Sequence, residues 1–173
     1  MHTRINSICH YNVVRFSTSK CTDGILLSLH DSRAEHSGDD GTFQLVLCDT
    51  PRDTFTVKVI ANPQHYNLYI GFALGDAPLD DWENFDKNSW SFSTGRHQLY
   101  ERGTWGDGIT DNIAEGSEIR IDKCSADRLL TFRVNNQVIH EKVLTRLLAE
   151  EFSQLVGYVE FGSKGDAVEI ISE

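Results

Sequence analysis

Catalysis needs groups that converge, so the carboxylates, histidines and cysteines come first. Glu115, Glu118 and Asp122 lie close together in the chain. A sandwich-type glycosidase would need two carboxylates flanking a sugar. Here Arg120 stands between Glu118 and Asp122, and alternate residues of a strand share a face, so the group reads as a solvated charged face. His2, His10, His30, His36, His65, His97 and His140 are scattered, with no His-x-x-x-His pair to seat a metal on a helix. Cys9, Cys21, Cys48 and Cys124 include no Cys-x-x-Cys pair, which leaves a zinc ribbon unsupported. The sequence contains neither a Gly-x-Ser-x-Gly elbow nor a phosphate-binding Gly-x-x-x-x-Gly-Lys-Ser/Thr loop, the signatures of serine hydrolases and nucleotide enzymes. The expectation is a protein without catalysis, metal or cofactor.

Recognition chemistry is better supplied. Trp82 and Phe85 sit in a stretch, Gly75 to Lys87, that also carries Asp76, Asp80, Asp81, Glu83 and Asp86. Aromatic side chains in polar loops are common interface anchors, and the acid favours a basic or amide-rich partner. Trp105 lies in a second glycine-rich stretch, between Gly103 and Gly106. Tyr100 can bury its ring and still offer its hydroxyl. For each of these the competing reading is ordinary packing: a loop folded back over its aromatics, or a sheet tyrosine bonded locally.

The elements that must position them read as strands. In Asn88 to Gly103, Trp90 and Phe92 alternate with Ser89, Ser91 and Ser93, a strand with an aromatic core face and a polar edge. Thr94-Gly95 turns the chain, and Leu99-Tyr100 begin the return strand. Thr54 to Ile60 alternates cleanly, Leu68 to Leu74 is apolar on both faces, and Leu129 to Val134 with Gln137 to His140 flanks a hairpin turn at Asn135-Asn136. Before these, Ser17 to Asp23 reads as a turn, Gly24 to His30 as a buried strand and Thr42 to Cys48 as another. Trp105 to Gly108 reads as a turn. Ser117 to Asp122, Leu155 to Phe161 and Val168 to Ile171 add further strands. Val143, Leu144, Leu147, Leu148 and Phe152 fall at helical spacing, so one short helix is expected over Glu141–Phe152. Ten to twelve short strands and one helix predict an all-β, two-sheet antiparallel sandwich, occupying residues 1–173 as one domain.

Bulk properties narrow the partners. The chain of 173 residues carries a formal net charge of −10, which repels phosphate backbones and argues against nucleic acid. No apolar run approaches the ~20 residues of a membrane helix. Met1 to His10 lacks a basic start followed by an apolar core, so no secretory signal is read. Reduced thiols in a cytoplasmic protein, or a nuclear one, are expected.

The order Tyr69-Ile70-Gly71-Phe72-Ala73-Leu74, Ser89-Trp90-Ser91-Phe92, Gly95-Arg96, Leu99-Tyr100, Gly103, then Gly116 to Asp122 and Leu130 to Asn136 resembles the SPRY domain family. Asp76-Ala77-Pro78-Leu79 with Ser89-Trp90, Gly95-Arg96 and Leu99-Tyr100 is similar in particular to SPRY domains found with a SOCS box. The resemblance covers residues 54–171, and residues 1–50 match as leading strands. The chain departs from the family at Thr54-Phe55-Thr56-Val57, where Tyr-Trp-Glu-Val is frequent. It departs again at Asn135-Asn136, where Asn-Gly is usual, and in lacking a tryptophan between Leu155 and Gly162. Neuralized-type repeats are a more distant sandwich alternative.

The resemblance implies a non-enzymatic module that binds a short linear segment of a partner protein through loops at one edge of the sandwich. It places Tyr100 at a peptide-contacting tyrosine and His65 and Tyr66 in a pocket-forming loop. The expected binding set is Tyr100, Trp82, Tyr66, His65, Trp105, Phe85 and Arg96. Two alternatives stand beside it. One is a structural subunit of an assembly, joined through a sheet face or the 141–152 helix. The other is a carbohydrate-binding sandwich using stackable aromatics such as Trp82 and Trp105.

Overall fold

In a computed structural model, residues 14–39, 41–63, 68–108 and 113–171 are described. Their strands are β1 (Phe16–Cys21), β2 (Ile25–Ser28), β3 (Arg33–His36), β4 (Gln44–Cys48), β5 (Thr54–Ala61), β6 (Tyr69–Leu74), β7 (Ser89–Ser93), β8 (Gln98–Glu101), β9 (Thr104–Gly108), β10 (Glu118–Cys124), β11 (Leu129–Val134), β12 (Gln137–Val143), β13 (Leu155–Phe161) and β14 (Ala167–Ile170). Two short helices interrupt them, α1 (Trp82–Asp86) and α2 (Ala149–Ser153).

The strands form two seven-stranded sheets. The first runs β1-β4-β13-β6-β7-β8-β9 and the second β12-β11-β10-β5-β14-β3-β2. Every described pairing is antiparallel, as in the opposition of Phe72 to Trp90 and of Ile121 to Phe55. The all-β, two-sheet sandwich expected from the alternation is therefore present.

The inward faces explain why the sheets hold together. Ile70, Phe72, Trp90, Phe92, Leu99, Val159 and Phe161 of the first sheet pack in one buried cluster with Phe55, Val57, Ile119, Ile121 and Phe132 of the second. Phe55 meets Phe72 edge-on, with ring centroids 6.3 Å apart. Gly157 makes room for this contact: a Cβ there would stand 2.5–2.8 Å from the Phe55 ring. Trp90 and Phe92 are core, as their alternation implied.

Several local expectations are corrected. The Glu141–Phe152 helix is not formed as such. Glu141, Lys142 and Val143 continue β12, held opposite Thr131, Leu130 and Leu129 of β11, and only Ala149–Ser153 is helical. Leu144, Leu147 and Phe152 are buried while Leu148 is 63% exposed, so a turn followed by a short helix satisfies the same apolar spacing. Lys123 fastens this region, its ammonium donating to the carbonyls of Ser153 and Leu155 at 3.0 and 3.2 Å.

Ser17 to Asp23 is mostly strand, because β1 pairs with β4. The Gly24–His30 run is an edge strand with Leu26 55% exposed. The glycine-rich stretch at Trp105 pairs with β8 as β9 rather than turning, and the acidic Gly75–Lys87 loop contains α1. Asp81 starts that helix by accepting the Asn84 backbone N–H at 3.1 Å. Asn135 and Asn136 both have positive φ, 48° and 67°, the primed-turn geometry expected of a two-residue hairpin.

Candidate functional site

Ser89, Ser91 and Ser93 do not form an open polar edge. All three are buried, because the outward face of the first sheet carries a layer of its own. Leu45, Leu47, Ala73, Ala77, Phe85, Val156 and Tyr158 make a second buried cluster there. Cross-strand register sets the rows. Leu47, Tyr158, Gly71, Ser91, Tyr100 and Trp105 lie side by side on one, and Leu45, Glu160, Tyr69 and Ser93 on the next. The chain comes closest at Gly71, where a Cβ would run into the Trp90 carbonyl and the Ser91 backbone.

Along this face the aromatic side chains form a connected series. Phe85 meets Trp82 at 6.4 Å, Trp82 meets Phe43 at 5.9 Å, and Phe43 meets Tyr69 at 6.3 Å between ring centroids. Tyr69 then contacts Tyr100 at 5.7 Å and Trp105 at 6.0 Å, and those two lie 4.7 Å apart. The Arg96 guanidinium sits 4.3 Å above the Trp105 ring, an attractive placement of a cation on an aromatic face. Phe43 and Trp82 are 41% and 37% exposed, so they rise as walls while Tyr69 forms part of the floor.

Four expected residues, Tyr100, Trp82, Trp105 and Arg96, thus meet on one face. They arrive from α1, the β7–β8 turn, β8 and β9. Phe85 stands beneath them: it is fully buried and packs on Tyr158 at 5.1 Å, which anchors α1 to the sheet. His65 and Tyr66 lie outside the described residues.

Four acidic or phenolic groups tune the floor. The Tyr100 hydroxyl donates to Asp86 Oδ2 at 2.7 Å. Burial raises the Asp86 carboxyl above its ordinary range, and the Tyr100 hydrogen bond partly offsets this. Burial, and then the neighbouring Glu160, push Tyr69 up to about 12. Glu160 itself is 6% exposed and raised to about 8, first by burial and second by the charge of Asp86.

Sequence reasoning had passed over Phe43, Tyr69 and Glu160. The available signal was Glu160, the one charged residue in the apolar run Leu155–Phe161.

A different cleft, of about 570 Å³, lies where Lys87, Arg102, Lys142 and Arg146 surround Trp90 and Leu147. Its cations are largely engaged: Lys87 with Glu83, Lys142 with Glu101, and Arg102 with the Lys87 carbonyl. It lacks the convergent aromatics of the outer face. Glu118 and Asp122 do not form a catalytic pair either. Asp122 accepts from Arg120 at 2.7 Å, Arg133 at 3.0 Å and Thr54 at 3.1 Å. Partial burial works against its charge, but these bonds prevail and hold the carboxyl below its usual range. Among the described residues no group of three or more histidine, cysteine or acidic side chains could hold a metal ion. None of the described helices is long and apolar enough to cross a membrane. Cys21, Cys48 and Cys124 are free thiols.

A human SPRY domain superposes with a TM-score of 0.73 at 15% identity, covering 85% of this chain and 94% of its own. The chain has the SPRY fold. The SPRY domain of human HERC1 gives 0.71 at 16%, covering 91% and 97%. The Drosophila melanogaster neuralized NHR1 domain gives 0.63 at 13%, covering 92% and 98%. No protein-family model and no curated protein matches the sequence.

Proposed function

We propose that this SPRY-fold protein is a non-enzymatic recognition module that binds a short linear segment of a partner protein on the outward face of its first sheet. The observation that carries this is the convergence of Phe43, Trp82, Tyr69, Tyr100 and Trp105 from five separate stretches onto one face. Core packing alone does not ask for Trp82 and Phe43 to stay more than a third exposed, whereas aromatic anchors at the centre of a contact contribute most of the binding energy. The likeness of Gly95-Arg96 and Leu99-Tyr100 to SOCS-box-type SPRY domains supports Tyr100 as a contact. The site is largely preformed, since Tyr100 is already fixed on Asp86, so little ordering accompanies binding. A cytoplasmic setting with reduced thiols fits the free cysteines.

The test is selection of binders from a displayed heptapeptide library, followed by titration against wild type, Tyr100→Ala and Trp82→Ala. Each variant should keep its fold and weaken binding about tenfold or more. Unchanged affinity in both folded variants would sink the site.

A second reading, docking into an assembly, draws on Val138, Val143 and Leu148, which are 44%, 48% and 63% exposed at the β12 edge and α2. Self-association lost on Leu148→Glu, without loss of peptide binding, would favour it. The aromatic face is also the surface that a carbohydrate would stack on, and a glycan array decides that case.

A further inference from the structure

Among the described residues, no cation pairs with Glu160 in the acidic floor beneath the aromatic walls. Glu160 projects from β13 on the same face as its cross-strand neighbours Leu45 and Tyr69. It is 94% buried, taking the 6% of its surface that stays open, and accepts no hydrogen bond from any described residue. Burying a carboxylate without a partner is strongly unfavourable. The groups that face it do not relieve this. Asp86 reaches it from α1 as a second negative charge, and Tyr69, Tyr100 and Tyr158 surround it from β6, β8 and β13 itself. β4 contributes Leu45, which carries no charge. Arg96, from the β7–β8 turn, is engaged over Trp105.

The electron-rich faces of Tyr69, Tyr100, Trp105 and Trp82 point to the same chemistry as the carboxylates. A cation over such rings is attracted to their faces, more strongly when water is excluded, and a cation beside a buried carboxylate that no described residue pairs restores its balance of charge.

We propose that the anchor of the bound segment is a cationic side chain, an arginine or lysine, seated among Tyr69, Tyr100, Trp82 and Trp105 with Glu160 as its counter-ion. This rests on the outward-face reading given above. The geometry offers a cation a deep carboxylate and several ring faces within one small area, and it offers a neutral amide much less. Because Glu160 holds its proton up to about pH 8 in the free protein, seating a cation expels that proton. Affinity therefore rises with pH, approaching about tenfold per pH unit below 8 and flattening above it.

The experiment uses library-selected heptapeptides and their isosteric variants in which each arginine is replaced by citrulline or each lysine by norleucine. Each is titrated at pH 6, 7, 8 and 9 against wild type and Glu160→Gln. Glu160→Gln resembles the protonated side chain, so its folding is not at risk, and the peptide exchange needs no protein variant at all. Expected are one required cation per peptide, at least a tenfold loss on neutralising it, and a similar loss in Glu160→Gln together with loss of the pH dependence. Peptides that bind the outward face, weakened by Tyr100→Ala yet indifferent to citrulline, norleucine or Glu160→Gln, would overturn the cation anchor and leave the site standing. Peptides indifferent to Tyr100→Ala as well would overturn both.

Discussion

The Tyr100 hydroxyl donates a 2.7 Å hydrogen bond to Asp86 Oδ2, tying β8 to the last residue of α1 across the outward face of the first sheet. Through this bond an acidic, tryptophan-bearing segment becomes a fixed wall of the aromatic site. Tyr100→Phe keeps the ring and removes the bond. It should lower stability by about 1 kcal/mol and speed amide exchange across Trp82–Asp86, leaving peptide affinity within a few-fold. Exchange rates and a denaturant titration check this; unchanged exchange in α1 would show that the bond does not hold the wall.

Glu160 sets a pH dependence whose sign is fixed by its environment. Its folded value, about 8, lies above the ordinary glutamate value of about 4.3, so between the two the native state binds more protons than the unfolded chain. Stability attributable to Glu160 is therefore full below about pH 4, falls as pH rises, and levels off above 8. Asp166, raised to about 6 by burial against the opposing Ser163 and Gly162 amides, adds a loss of the same sign over a lower window. Glu160→Gln should flatten the upper window and raise stability at pH 9 by on the order of 5 kcal/mol. Melting curves from pH 5 to 9 measure it, and an unaltered slope between 6 and 8 would assign the dependence elsewhere.

Gly157 lies under the Phe55 ring, with no space for a methyl group. Gly157→Ala should destabilise by about 1–3 kcal/mol, and Phe55→Leu in the same chain should recover part of it. Denaturant midpoints of the two single variants and the double variant decide; strict additivity would mean the contact is not the cause.

Leu144 and Leu148 should behave oppositely. Leu144 is 3% exposed within the core and Leu148 is 63% exposed. Leu144→Glu should unfold the chain at room temperature, since it buries an unpaired charge, while Leu148→Glu should change stability by less than about 0.5 kcal/mol. Circular dichroism separates the two.

What the sequence disclosed follows from period. Trp90 and Phe92 against the serines, and Phe55, Val57 and Val59 against threonines and lysine, carry a two-residue repeat that only a strand satisfies. Asn135-Asn136 showed its turn through residue types that tolerate positive φ. Where two structures satisfy one pattern, the reading failed: Leu144, Leu147 and Phe152 are buried by a turn and a short helix as well as one long helix would bury them. Glycines hid β9, whose pairing comes from β8 rather than from its own side chains. At the site, Trp82, Tyr100 and Trp105 were visible as aromatics out of place among polar residues. Their meeting was not, because it depends on register across six strands. Glu160 stayed hidden because a lone carboxylate in an apolar strand has meaning only once its neighbours are known.

The chain has three tryptophans, and the fold distributes them usefully: Trp82 and Trp105 belong to the aromatic series of the outward face, while Trp90 is buried between the sheets. Indole N–H resonances therefore report directly on where a selected peptide sits. Titration into nitrogen-labelled protein should shift the Trp82 and Trp105 signals in step with occupancy and leave Trp90 nearly still. Shifts confined to residues of the second sheet or α2, with both outer indoles unmoved, would contradict recognition by this face.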